Sequence, residues 1–220
     1  MVCVFLVSLV PLVVKMRGQH VTAAIDFYFD FSSPYGYFAS ERIDELAARY
    51  GRAVEWHPIL LGVVFKVTGS APLPELPLKG EYALRDIPRT ARHLGIAYRP
   101  PAVFPIATVN AARGYYCLQQ RDPRLARAFA RVCYRAYFAE GIDISDSQRL
   151  AVFADSLGMD KDAFSAGLSD PTVKERLKKA NDSALARGVF GSPFIIVDGE
   201  PFWGSDRLPQ VEKWLQTRGF

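Results

Sequence analysis

Residues 25–31 read Ile-Asp-Phe-Tyr-Phe-Asp-Phe, an unbroken alternation that sets Ile25, Phe27, Phe29 and Phe31 on one face. That period is a half-buried strand. Two residues later Ser33-Pro34-Tyr35-Gly36 opens a helix. Ser33 takes the N-cap, and Pro34 the first helical position, where its missing N–H costs nothing. Ile43, Leu46, Ala47 and Tyr50 continue at helical spacing, so one helix is expected to run to about Tyr50, with Gly51 closing it. Residues 53–59 form a second strand. The chain therefore opens βαβ, and its two strands should be parallel.

Gly62, Gly69, Pro72, Pro74, Pro77 and Gly80 break the pattern between 62 and 80, which reads as an irregular loop long enough to act as a lid or wall. Residues 81–187 read as four to six helices, punctuated at Pro100-Pro101, Asp122-Pro123, Gly141 and Asp170-Pro171. A hairpin turning at Asp198-Gly199 follows, then an amphipathic helix with Leu208, Val211, Trp214 and Leu215 on one face. Strand-helix-strand, helical insertion, hairpin and helix is the thioredoxin plan. The fold class is α/β, a thioredoxin-like βαβ–ββα fold with an inserted all-helical subdomain. The division expected is an N-terminal extension (1–23), a thioredoxin-like domain (24–61 and 188–220), and a loop with the helical insertion (62–187).

At 220 residues the chain suits one domain carrying an insertion, and half its residues are apolar, enough for a packed core. Its 27 basic and 23 acidic residues leave +4; the densest basic run, 174–179, reads as a solvated helix face, not a nucleic-acid surface. Cys3, Cys117 and Cys133 form no C-x-x-C and no disulfide framework, which points to the reducing cytoplasm; Cys117 and Cys133 read as core residues. His20, His57 and His93 are scattered, so no metal is expected. Residues 2–14 are almost wholly apolar but too short to span a bilayer, and Lys15 and Arg17 follow the run instead of preceding it. They read as an over-extended start with translation from Met16; a cleaved signal and a peripheral anchor are the rival readings.

Three motifs meet if the plan holds. Ser33 to Gly36 occupy the position of the C-x-x-C of a disulfide oxidoreductase, with both sulfurs absent. Ser33, at a helix start with no base beside it, is suited to donate a hydrogen bond to a bound thiolate instead of attacking as a nucleophile; taken alone it reads first as a plain N-cap. Gly191-Ser192-Pro193 is either a strand-initiating proline or a cis-proline loop, whose Ser192 N–H and C=O would pair with an extended peptide-like ligand. At Trp203-Gly204-Ser205-Asp206, Ser205 and free amides suit a carboxylate and Asp206 an ammonium, matching the amino-acid end of a γ-glutamyl group; Asp206 alone is equally an N-cap.

The strings Phe31-Ser-Ser-Pro-Tyr-Gly-Tyr-Phe-Ala39, Leu60-Leu-Gly-Val-Val-Phe-Lys66, Gly188-Val-Phe-Gly-Ser-Pro-Phe194 and Phe202-Trp-Gly-Ser-Asp-Arg-Leu208 resemble the 2-hydroxychromene-2-carboxylate isomerases, relatives of kappa-class glutathione transferases and DsbA proteins. The resemblance covers roughly residues 24–218. It implies glutathione as cofactor, with its sulfur held by Ser33 and its backbone by Ser192 beside cis Pro193. Trp203, Gly204, Ser205 and Asp206 would take its amino-acid end, and Lys66 and Ser70 would face a small aromatic substrate. It also implies a possible homodimer; no nucleic acid is expected as partner, and no membrane unless the N-terminal apolar segment is real. The sequence departs where relatives carry asparagine, having Ser70 in Gly69-Ser70-Ala71-Pro72 and Ala107 in Phe104-Pro105-Ile106-Ala107. The activity implied is a glutathione-dependent isomerase of aromatic catabolism. The alternatives are a kappa-like transferase and a non-catalytic thioredoxin-like binding protein.

Overall fold

A computed structural model describes residues 23–220. Residues 1–22, and with them the reading of a start at Met16, lie outside the described residues. Strand β1 (Ile25–Phe29) pairs in parallel with β2 (Val54–Pro58) and antiparallel with β3 (Phe194–Val197), which carries β4 (Glu200–Trp203) at the far edge. The β3–β4 turn sets both Asp198 (φ 53°) and Gly199 (φ 92°) in the left-handed region, as a two-residue hairpin with this twist requires.

The single helix expected to reach Tyr50 is two: α1 (Pro34–Ser40) and α2 (Ile43–Arg49), broken where Arg42 leaves helical geometry at φ −128°. The cause lies in the neighbours. α1 packs on the helical segment and on the turn after β4, while α2 packs on β2 and the C-terminal helix. One straight axis cannot serve both.

The loop expected over 62–80 begins instead as a helix, α3 (Leu61–Thr68), closed by Gly69 at φ 70°. Its start is held by two remote side chains. The Leu60 N–H donates to Asn181 Oδ1 at 2.8 Å, and the Leu61 N–H to Asp30 Oδ2 at 2.6 Å. Beyond it, a 3-10 turn at Leu73–Glu75 leads into six helices: α4 (Lys79–Leu94), α5 (Val109–Gln119), α6 (Pro123–Phe138), α7 (Ser147–Ser156), α8 (Lys161–Ser169) and α9 (Pro171–Ala186). Asp122, Asp146, Asp160 and Asp170 each cap a helix by accepting a first-turn N–H. The chain ends in α10 (Leu208–Thr217), with Leu208 and Val211 buried and Trp214 and Leu215 packed on the core.

Ile25, Phe27, Phe29 and Phe31 are fully buried on one face, each aromatic worth about 1.5–3 kcal/mol of transfer free energy. β1 is not half-buried, however. On its other face Tyr28 packs with Ile59, Val64, Ala184, Val189 and Phe194, so α3 and α9 cover what the alternation assigns to solvent. β2 is an edge strand whose outward carbonyls face the helical segment. Tyr115 donates to Trp56 O and Tyr116 to Pro58 O, both at 3.0 Å. Pro58, with no N–H to satisfy, suits that outward position. Cys117 and Cys133 are buried free thiols, pushed up by burial. Among the described residues no helix is long and apolar enough to cross a membrane.

Candidate functional site

The antiparallel register of β1 and β3 pairs Asp26 with Ile196 and Tyr28 with Phe194, so the next rung would join Asp30 to Ser192. That rung is rewired. The Asp30 N–H donates to Ser192 Oγ at 2.9 Å instead of to the carbonyl, and the Ser192–Pro193 bond is cis. The freed Ser192 carbonyl accepts the Ser33 hydroxyl at 2.8 Å. Ser33 is buried at the N-cap of α1: its N–H donates to Asp30 O at 2.9 Å, and its Oγ accepts from Gly36 N at 3.0 Å. The Ser192 N–H meets no acceptor among the described residues. Serine and proline loop, 159 residues apart, thus meet through one hydrogen bond. α1 is only seven residues long, so its local donors, not a long helix dipole, define the electrostatics here.

Asp30 and Tyr134 belong to this arrangement and escape a reading of the sequence, whereas Gly36 is expected there only as the place of an absent sulfur. Asp30 falls on the polar side of the strand alternation, yet it is buried. Its Oδ1 accepts from Ser32 N, Ser32 Oγ and Thr108 Oγ1 at 2.8–2.9 Å, and its Oδ2 from Leu61 N. Burial pushes its carboxyl above the usual range, against the lowering effect of those donors. The one available signal is Asp followed two residues on by Ser, an Asx-turn pattern. The Tyr134 hydroxyl, fully buried, donates to Asp30 O at 2.9 Å. Gly36 lies against both hydroxyls: a Cβ there would sit 2.6 Å from Tyr134 Oη and 2.9 Å from Ser192 Oγ. Where a C-x-x-C protein would place its second sulfur, two hydroxyls fill the space.

The third motif reaches the same corner. The Gly204 N–H donates to Pro193 O at 3.1 Å, and the Trp203 indole lies against Gly191, where a Cβ would collide with its Nε1. Ser205 is buried in a 3-10 turn packed on α1; Asp206 is exposed and pairs with Arg207 at 3.2 Å. Lys66 and Ser70 lie on the surface. Lys66 is exposed on α3, not in a loop, and Ser70 is exposed just beyond its end. Neither forms a hydrogen bond with Ser33, Ser192 or Ser205 among the described residues.

Residues 24–216 match the model of the DsbA-like thioredoxin domain. The 2-hydroxychromene-2-carboxylate isomerase of Sphingobium xenophagum is 34% identical over 197 residues, covering 89% of this chain and 99% of the relative. This chain belongs to that isomerase family, within the DsbA-like thioredoxin domains. The solved structure of a 2-hydroxychromene-2-carboxylate isomerase superposes with a TM-score of 0.79 at 31% identity, covering 88% of this chain and 95% of the other. Glutathione S-transferase kappa 2 of Caenorhabditis elegans is 30% identical over 204 residues, covering 87% of this chain and 91% of its own. The family's fold accounts for the four-stranded mixed sheet and the helices between β2 and β3.

Away from this corner, ligand atoms of Asp26, Glu55 and His57 lie within 4.8 Å of one another. Asp26 already bonds His57 Nε2 and Arg187 Nη2, each at 2.7 Å, so this trio works as an ion-pair network tying β1, β2 and the end of α9.

Proposed function

We propose that the chain is a glutathione-dependent isomerase of a conjugated aromatic substrate resembling 2-hydroxychromene-2-carboxylate. One observation carries this: the Ser33 hydroxyl lies 2.8 Å from the Ser192 carbonyl beside a cis proline, in a site with no cysteine of its own. A buried hydroxyl at that point fits a thiolate, and the unpaired Ser192 N–H fits the carbonyl of a peptide-like ligand. When bound, glutathione supplies a thiol able to add to a conjugated double bond and leave again, permitting rotation in between without net consumption of anything. Ser33 orients and stabilises the sulfur's charge. Ser192 and Pro193 hold the cysteinyl backbone, while Trp203, Gly204, Ser205 and Asp206 receive the amino-acid end. Lys66, an exposed cation near the start of the least regular stretch, steadies the carboxylate or developing enolate of the substrate. Buried free thiols at Cys117 and Cys133 suit a reducing compartment such as the cytoplasm.

The transferase reading is favoured by one observation, the kappa-class relative at 30% identity. Ser70 and Ala107, standing where relatives often have asparagine, fall on the substrate side and so bear on this choice, not on glutathione. Calorimetric titration with glutathione, followed by turnover of 2-hydroxychromene-2-carboxylate and of chlorodinitrobenzene, separates the readings. Binding with isomerisation supports the first, and binding with conjugation alone supports the second. Absence of glutathione binding defeats both.

A further inference from the structure

Asp30 carries two sets of bonds that lead to different parts of the molecule. Its main chain serves the serine corner: the N–H donates to Ser192 Oγ, and the carbonyl accepts from Ser33 N and the Tyr134 hydroxyl, all at 2.9 Å. Its carboxylate serves the starts of two helices. Oδ2 accepts from the N–H of Leu61, the first residue of α3, at 2.6 Å, and Oδ1 from the hydroxyl of Thr108, at the N-cap of α5, at 2.9 Å. Neither helix caps itself. Leu60 has no polar side chain to offer α3, and the Thr108 hydroxyl bonds to Asp30 instead of to an amide of its own helix. The remaining donors to this buried carboxylate are Ser32 N and Ser32 Oγ, so neutral groups alone hold its charge among the described residues. A buried carboxylate is costly wherever a donor is withdrawn. Neither helix start can therefore drift from the end of β1 without penalty.

We propose that Asp30 is a positioning residue for the aromatic substrate, its carboxylate fixing the starts of α3 and α5 relative to the sulfur site that its own main chain helps to build. This rests on the reading that glutathione and a conjugated substrate meet here. On that reading the two helices bear the substrate side: Lys66 lies on α3, Ser70 just past its end, and Ala107 immediately before Thr108. The two duties separate within one residue. A change in the Asp30 side chain, or in Thr108, leaves the Asp30 amide and carbonyl where they are, so the glutathione half stands. The substrate half shifts, and the double bond no longer approaches the sulfur squarely. A misplacement of about 1 Å in such an approach costs on the order of a hundredfold in rate. Thr108 gives the cleaner cut, because its hydroxyl caps nothing and its removal takes no bond from α5 itself.

The test cuts the ties one at a time and reads glutathione binding and turnover separately. Thr108→Val keeps the shape but loses the hydroxyl, and Thr108→Ser restores it. Asp30→Asn sets an amide NH2 against the Leu61 N–H or the hydroxyl donors, and so cuts at least one tie. Thr108→Val and Asp30→Asn should bind glutathione with wild-type affinity and unchanged thiolate absorbance, while kcat for 2-hydroxychromene-2-carboxylate falls about ten- to a hundredfold. Thr108→Ser should turn over like the wild type. Where Asp30→Asn does not fold, the two Thr108 variants decide. Wild-type kcat in Thr108→Val, an equal loss in Thr108→Ser, or a fall in glutathione affinity that matches the fall in turnover overturns the positioning role and leaves Asp30 a structural hub. A wild type that binds no glutathione, or binds it and converts no chromene, defeats the underlying reading and the positioning role with it.

Discussion

The backbone N–H of Asp30 donates to the side chain of Ser192 at 2.9 Å, at the rung where the register of β1 and β3 would pair it with the carbonyl. This substitution ends the ladder and makes the Ser192 main chain available. Everything assigned to the site depends on it: Ser33 reaches the freed carbonyl, and Tyr134 and Ser33 share the Asp30 carbonyl behind it.

Gly36 should tolerate no side chain. Gly36→Ala brings a Cβ within 2.9 Å of two hydroxyls, one of them fully buried, and should cost about 1–3 kcal/mol as overpacking. Tyr134→Phe removes the nearer oxygen and should recover part of that loss when combined with it. Denaturant unfolding of the two single variants and the double variant measures the coupling; strict additivity would contradict the contact.

That glycine also bears on redox chemistry. Ser33→Cys should trap glutathione as a mixed disulfide under oxidising conditions, since the new thiol would meet the bound one and no resolving thiol stands at position 36. Mass spectrometry of the intact variant should show one glutathione added. Absence of the adduct in a folded variant that still binds glutathione would move the sulfur away from Ser33.

The β1 alternation and the Ser33-Pro34 cap were legible because strand period and cap chemistry are local signals, and the expected fold order brought Ser33 towards Ser192, as the structure shows. Asp30 was not legible, since its burial depends on Leu61 and Thr108 arriving from elsewhere in the chain. α3 was hidden for a similar reason. Three valines, Gly62 inside the segment and Gly69 at its end argue against a helix over 61–68, and the bonds that start it come from Asp30 and Asn181. The division of α1 from α2 was hidden because it is set by what each half packs against, which lies far away in the chain.

Acid should weaken the tie between β1, β2 and α9. Burial raises the Asp26 carboxyl, but hydrogen bonds and charge from His57 and Arg187 outweigh it and hold the group below its ordinary value of 3.8. The stabilisation is therefore complete above about pH 4 and is lost as pH falls through the lowered folded value. Asp26→Asn should reduce stability at neutral pH by on the order of 1 kcal/mol, because the pair is only partly buried, and should flatten the acid limb of the stability curve. An unchanged acid limb would remove Asp26 from this role.

The exposed Asp206 carboxylate should matter for ligand and not for fold. Asp206→Ala is expected to weaken glutathione about tenfold, as the loss of a charge-assisted contact, with an unaltered melting temperature. Unchanged affinity would place the amino-acid end of glutathione elsewhere.

The account turns on whether the Ser33 hydroxyl holds a thiolate, and titration of bound glutathione followed by thiolate ultraviolet absorbance tests it most directly. The wild type should show a thiol pKa below that of free glutathione. Ser33→Ala should still bind but return the pKa toward the free value and lose about 10²–10³ in turnover, the usual effect of removing one donor to an anion. A bound thiol that titrates identically in wild type and Ser33→Ala, with turnover intact, would contradict the account.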